Sequence, residues 1–195
     1  ILLPILFFFI IKCFYYFFFL IIITFIICFY EWSLLSKNKF FKYLGFIFLF
    51  FSFYCVYKLR INNENNYINF IIITSICILT DIGGYVFGKL FGGPKLTRLS
   101  PNKTYSGAIG GYLLTLTLIP FIQFFNIFND FIILNFVMFV LLVSTVSQCG
   151  DIVISYFKRV SKIKDTGNLI PGHGGLLDRI DGMIFAYPFS YLVIT

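Results

Sequence analysis

The sequence predicts an all-α fold, a polytopic transmembrane bundle of about six to seven helices with cytoplasmic catalytic loops. Three observations predict it. Of 195 residues, 59% are hydrophobic and only 12% are charged, about half the ~25% charge of a soluble domain. Several apolar runs reach the ~17–25 residues with which a helix crosses a bilayer. The runs do not alternate in polarity as barrel strands do, and a helix satisfies its own backbone in lipid.

Taken in order, segment 1–11 is apolar but too short to span alone, so it reads as the remnant of a longer helix. The chain opens on Ile1 rather than Met, which predicts a truncated N-terminus. A cleaved signal peptide does not explain this region, because its apolar stretch exceeds the ~7–15 residues of a signal core and more spans follow. Helices are expected at 14–30 and 43–57. Glu31 and Trp32, at the end of the first, read as an interfacial anchor. Residues 62–66 form a polar turn. Segment 67–80 is short but extends as a helix through 81–91. Further helices are expected at 108–125, 131–148 and 183–194. No linker separates two domains: N-terminal transmembrane helices (1–80) and a catalytic transmembrane region (81–195) form one integrated membrane domain.

Charge assigns the sides. Twelve of the fifteen bases fall in segments 33–42, 89–106 and 150–182, and Lys12, Lys58 and Arg60 fall on the other side. Basic loops stay in the cytoplasm, so the net charge of +7 reports topology. No aromatic-basic module points to nucleic acid. The five cysteines lie in or beside apolar runs without a CxxC pair, and read as small buried hydrophobes.

The chemistry concentrates in 155–181. Asp151, Asp165, Asp178 and Asp181 lie in or just before this stretch, with Lys158, Arg159, Lys162, Lys164 and Arg179. A carboxylate near the hydrocarbon boundary is costly unless paired or metal-bound. Asp151, Ser155, Lys158 and Arg159 stand at helical spacings of three and four and share a face. Asp178 and Asp181 stand at i and i+3 where a helix opens. Dipole complementation explains one acid there and not two. Paired hard oxygens suit Mg²⁺. The breaker-rich run from Pro171 through His173, Gly174 and Gly175 lets backbone N–H groups approach a phosphate, and His173 is the only histidine. Upstream, Asp81 ends an apolar run. Lys103 and Thr104 precede a long helix, whose free N–H groups would help them hold a phosphate.

These residues fit phosphoryl or nucleotidyl transfer on a lipid, with carboxylates holding one or two metals and bases neutralising the spread charge of the transition state. A transporter with an intramembrane ion site is the alternative of another class. It would place its polar groups at mid-span rather than in loops. A non-catalytic assembly protein is a third, and it has no need of the glycine-rich turn between matched acids.

The motif resembles the signature of the phosphatidate cytidylyltransferase family, S-x-x-K-R-x4-K-D-x-G-x2-[LI]-P-x-H-G-G-x2-D-R-x-D. Ser155, Lys158, Arg159, Lys164, Asp165, Gly167, Ile170, Pro171, His173, Gly174, Gly175, Asp178, Arg179 and Asp181 stand at its positions. The run from Asp81 to Gly92 and the Ser100-Pro-Asn-Lys-Thr segment are similar to further family elements, as is Glu31-Trp32. The resemblance implies CTP and phosphatidate as substrates, CDP-diacylglycerol and pyrophosphate as products, and Mg²⁺ on Asp151 and Asp178 with a monovalent partner such as K⁺. On the same ground Lys158, Arg159, Lys164 and Arg179 would hold phosphates. His173 with the glycines would shape the triphosphate site, Asp181 would orient, and Asp81 and Lys103 would contribute from the first block. It also implies a membrane-embedded homodimer with a polar cavity open to cytoplasm and lipid. A related enzyme acting on another lipid phosphate shares these features. The chain departs from the family at Ser106, where an acid is common, at Gly84, where alanine is common, and between Trp32 and Asp81, where it is shorter by about a helix pair.

Overall fold

The computed structural model describes residues 14–36, 38–61, 68–97, 99–101, 103–124, 133–167 and 174–194. They form seven helices: α1 (Phe14–Leu35), α2 (Lys39–Ile61), α3 (Ile68–Phe91), α4 (Tyr105–Leu116), α5 (Leu118–Phe124), α6 (Ile133–Val160) and α7 (Leu177–Ile194). Among the described residues the only β pairing is an isolated bridge between Lys95 and Thr104. Five helical segments are long and apolar enough to cross a membrane, α4 and α5 together making one of them. This is an all-α membrane bundle, as the composition predicts. The segment 1–11 lies outside the described residues.

Local chemistry sets the helix ends. Asn38 caps α2, its Oδ1 accepting from Phe40 N at 3.0 Å and its carbonyl from Lys42 N at 2.9 Å. Thr104 caps α4, and its Oγ1 accepts from Gly107 N at 3.1 Å. The helix expected over 108–125 breaks at Thr117. Pro120 has no N–H for the carbonyl of Leu116 and its ring would clash with that carbonyl. Thr117 turns back instead, its N–H donating to Leu114 O at 3.2 Å. The segment expected at 131–148 continues to Val160 as α6. Asp151, Ser155, Lys158 and Arg159 are therefore helical residues, as their spacing predicts. The last helix begins at Leu177, six residues before its apolar run.

The last helix is the hub of the bundle, with contacts to α1, α2, α3 and α6. One core cluster includes Ile73, Ile76, Val140, Val143 and Tyr187. A second gathers Trp32, Leu35, Leu49, Ile154, Leu177 and Ile184. Large apolar side chains such as Ile47, Phe50, Leu113 and Leu134 point outward, the arrangement of a surface that meets lipid. Helices α3 and α4 pack backbone against backbone. A Cβ on Gly83 would lie 2.5 Å from Gly110 O, and one on Gly107 would lie 2.6 Å from Gly84 O. Small residues let the two backbones touch, the usual device for packing helices in a membrane.

Connectivity brings the C-termini of α1, α3 and α6 and the N-termini of α2, α4 and α7 to one end. Contacts join them there. Arg159 Nε donates to Leu99 O at 3.3 Å, Ser161 Oγ donates to Leu35 O, and Trp32 Nε1 donates to Lys42 O at 3.2 Å.

Candidate active site

Two lysine–carboxylate pairs organise this end. Lys103, in the turn before α4, donates Nζ to Asp151 Oδ2 at 2.5 Å. Lys158, near the end of α6, donates Nζ to Asp178 Oδ1 at 2.9 Å. Both pairs are largely shielded from solvent, where charge-assisted hydrogen bonds are strongest.

The first pair opens on a cavity of about 230 Å³ whose lining includes Asp81, Tyr85, Lys103, Thr104, Gln148 and Asp151. Asp81 reaches it from α3 and feels the charges of Asp151 and Lys103. Lys103 is held by its backbone, which donates to Ser100 O at 3.1 Å and accepts from Leu96 N at 2.8 Å. Thr104 spends its hydroxyl on the α4 cap and on Ser106 Oγ, 3.0 Å away, and Ser106 in turn donates to Gly92 O. Thr104 therefore shapes the wall by capping.

The remaining oxygen of Asp151, Oδ1, is buried and meets no donor among the described residues. It lies against α7, where a Cβ on Gly182 would come within 2.7 Å of it. Its electrostatic neighbour is the Asp181 carboxyl. Burial first, and then the Asp151 charge, push Asp181 well above the ordinary carboxylate range. Asp181 Oδ1 accepts from Gly182 N at 3.1 Å, whereas Asp151 Oδ1 has no such donor; two neighbouring carboxyls are unfavourable unless a proton or a cation lies between them.

Asp178 is differently placed. Besides Lys158, its Oδ2 accepts from Thr166 N at 2.8 Å and Gly175 N at 3.1 Å. Burial alone would raise its pKa, but Lys158 and the two amides outweigh that and hold it below the ordinary value. A carboxylate offers about four lone-pair positions, so three donors leave one. Gly174 sits at φ 81°, and a Cβ there would lie 3.2 Å from Asp178 Oδ2. Both features require glycine beside this carboxylate.

Glu31 corrects the sequence reading. Glu31 is 1% exposed and Trp32 5%, so the pair is not an interfacial anchor. Both Glu31 oxygens turn into the signature loop. Oε1 accepts from Leu176 N at 2.9 Å, and Oε2 accepts from Leu177 N at 2.7 Å and Thr166 Oγ1 at 3.0 Å. The acid caps α7 from another helix, at the positive end of the α7 dipole. Gly167 and Gly175 make room, since a Cβ on either would fall within 2.8 Å of a Glu31 oxygen. An acid in the last turn of a greasy helix was the available signal, because a buried charge needs partners. Gln148, which donates to Ala108 O at 3.4 Å and lines the cavity, carried no such signal.

The structure thus brings together Asp81, Lys103, Thr104 and Asp151 around one cavity, sets Asp181 of α7 beside Asp151, and joins Lys158 to Asp178 at the same end. Ser155 is half-buried one turn after Asp151. Arg159, Lys164 and Asp165 are exposed at the same end, and Asp165 packs beside Gly174. Arg179 leaves the group and lines an apolar cavity on another side of α7. His173 lies outside the described residues. Cys28, Cys55 and Cys77 are buried as expected, Cys149 is exposed, and Cys13 lies outside the described residues.

A model of the cytidylyltransferase family matches residues 44–195. Phosphatidate cytidylyltransferase of Staphylococcus saprophyticus is 36% identical over 171 residues, covering 84% of this chain and 64% of that protein. The proteins of the same name from Staphylococcus epidermidis and Staphylococcus aureus are each 35% identical over 183 residues, covering 88% of this chain and 66% of theirs. The chain therefore spans just under two thirds of the length of these relatives.

Proposed function

The chain belongs to the cytidylyltransferase family, and from that membership we propose that it makes CDP-diacylglycerol from CTP and phosphatidate. An oxygen of the lipid phosphate attacks the α-phosphorus of CTP. The bond from that phosphorus to the β-phosphate oxygen breaks, and pyrophosphate leaves. The observation that supports this most is the convergence of the Lys103–Asp151 and Lys158–Asp178 pairs with Asp181 at one end of the bundle. The reaction gathers anions, and these residues supply both cations and hard oxygens.

The donor set fits Mg²⁺. Asp151 Oδ1, buried without a donor and facing Asp181, is an oxygen that a cation would satisfy. Asp151 and Asp178 are the residues that the resemblance gives it; the unpartnered oxygen of Asp151 and the one remaining position of Asp178 support that reading, and Asp181 stands beside Asp151. Bound there, Mg²⁺ would neutralise charge on the phosphates and polarise the phosphorus centre. A K⁺ partner rests on the family resemblance. Lys103 and Lys158 hold the two carboxylates in place and present positive charge to the phosphates. Arg159 and Lys164 are exposed at the same end of the bundle, where they would attract the triphosphate.

The site faces the cytoplasm in this reading, because the bases of segments 33–42, 89–106 and 150–182 lie at the same end. CTP is available on that side. The test is the purified chain in detergent with labelled CTP, phosphatidate and Mg²⁺. Lipid-linked CMP and pyrophosphate should form in equal amounts, and both should stop on chelation. The absence of both products with Mg²⁺ present would sink the proposal.

A further inference from the structure

An apolar cavity lies across α7 from the carboxylates. It measures about 350 Å³ and is walled by α1, α2, α3 and α7, with Ile21, Phe53, Phe70, Ile180, Met183 and Tyr187 prominent in its lining. Its hydroxyls are already engaged within the protein. Thr24 Oγ1 donates to Leu20 O at 2.9 Å, Ser52 Oγ donates to Ile184 O at 2.7 Å, and Thr74 Oγ1 bonds both Phe70 O and Tyr187 OH. Among the described residues every wall hydroxyl already has a partner within the protein, and a cavity so lined takes hydrocarbon.

The cavity has a polar end and a deep end. Among the described residues Arg179 is the one charged residue of its lining, and it stands with Leu176 beside the signature loop. The deep end is closed by Tyr187 stacked on Phe70, against which Phe17 packs. From Arg179 to Tyr187 the wall follows α7 for about 12 Å, close to the ~15 Å hydrocarbon depth of one leaflet. Both ends of the groove therefore match one molecule, an acyl chain capped by an anion.

We propose that this groove takes one acyl chain of the lipid phosphate and that Arg179 at its mouth meets the phosphate. The inference rests on the lipid-phosphate reading above and adds to it where the lipid lies. Because α7 carries Asp181 against Asp151 on another face, a chain held in the groove delivers its headgroup around one helix to the carboxylates. The groove then selects substrates by chain length, and the carboxylate cavity does not.

The experiment compares dipalmitoyl and dihexanoyl phosphatidate as substrates of the purified chain and of Met183→Trp, which fills the groove. The expected result is a fall of about tenfold or more in the long-to-short ratio of kcat/KM, carried by a higher KM for the long chain. A ratio within about twofold of the unsubstituted protein overturns the groove, whether a detergent molecule or another segment of the protein fills it instead. If Met183→Trp does not give a monodisperse protein, Ile21→Trp narrows the same groove from α1 and is read by the same ratio. Failure of the unsubstituted protein on both lipids overturns the lipid-phosphate reading itself, so the two failures are told apart.

Discussion

Ser52 on α2 donates its hydroxyl to the backbone carbonyl of Ile184 on α7, 2.7 Å away and fully buried. The reason stands four residues further on. Pro188 lies inside α7 and has no N–H to offer that carbonyl. In lipid no water can replace the missing donor, so a neighbouring helix supplies it. Ser52→Ala should lower stability by about 1 kcal/mol. In a Pro188→Ala background, where the helix can bond its own carbonyl, the same change should cost measurably less. Unfolding in detergent for the four proteins of the cycle checks the coupling, and equal costs in both backgrounds would refute it.

The Lys103–Asp151 pair makes a catalytic prediction. Asp151→Asn keeps the shape of the side chain and removes the charge facing Asp181. Turnover should drop at least about a hundredfold, with the unfolding midpoint close to that of the unsubstituted protein. Pyrophosphate release is the readout. An Asp151→Asn protein with undiminished turnover would remove Asp151 from the chemistry.

Glu31 predicts a change in loop order. Glu31→Ala leaves the N–H groups of Leu176 and Leu177 and the Thr166 hydroxyl without their acceptor. Buried donors so abandoned should cost about 2–4 kcal/mol. Hydrogen exchange at Leu176 and Leu177 should accelerate relative to amides in mid-α3. Unchanged protection of those two amides would show that the loop is held by something else.

The α3–α4 contact predicts a position-specific cost for adding one methyl group. Gly83→Ala drives its Cβ into the Gly110 carbonyl, where only backbone movement can relieve it. The expected loss is about 1–3 kcal/mol, with reduced turnover because α3 carries Asp81 and the α4 cap carries Thr104. Gly84→Ala meets only Gly107 O at 3.9 Å and should be nearly neutral. Unfolding midpoints of the two variants in one detergent decide it, and equal losses would contradict the packing.

Hydropathy alone placed the helices, because a bilayer demands long apolar runs and leaves few other ways to satisfy a backbone. It placed their ends poorly. α6 runs on to Val160 and α7 starts at Leu177, beyond the apolar runs, and it was the spacing of Asp151, Ser155 and Lys158 and of Asp178 and Asp181 that marked helix there. The break at Thr117 was hidden in an unbroken apolar run, although Pro120 was its visible cause. The capping role of Thr104 needed the position of Gly107, which only the folded turn fixes.

By itself the sequence determined the class of fold, the family and the cluster of acids and bases, since spacing within one segment is a property of the chain. Tertiary structure decided which charges meet. Lys103 reaches Asp151 across 48 positions of sequence, and Glu31 reaches Leu177 across 146. It also divided α7 into a face with Asp181 toward Asp151 and a face with Arg179 toward an apolar groove. A helix sets the angle between its own residues, but only the helices packed around it decide what each face meets.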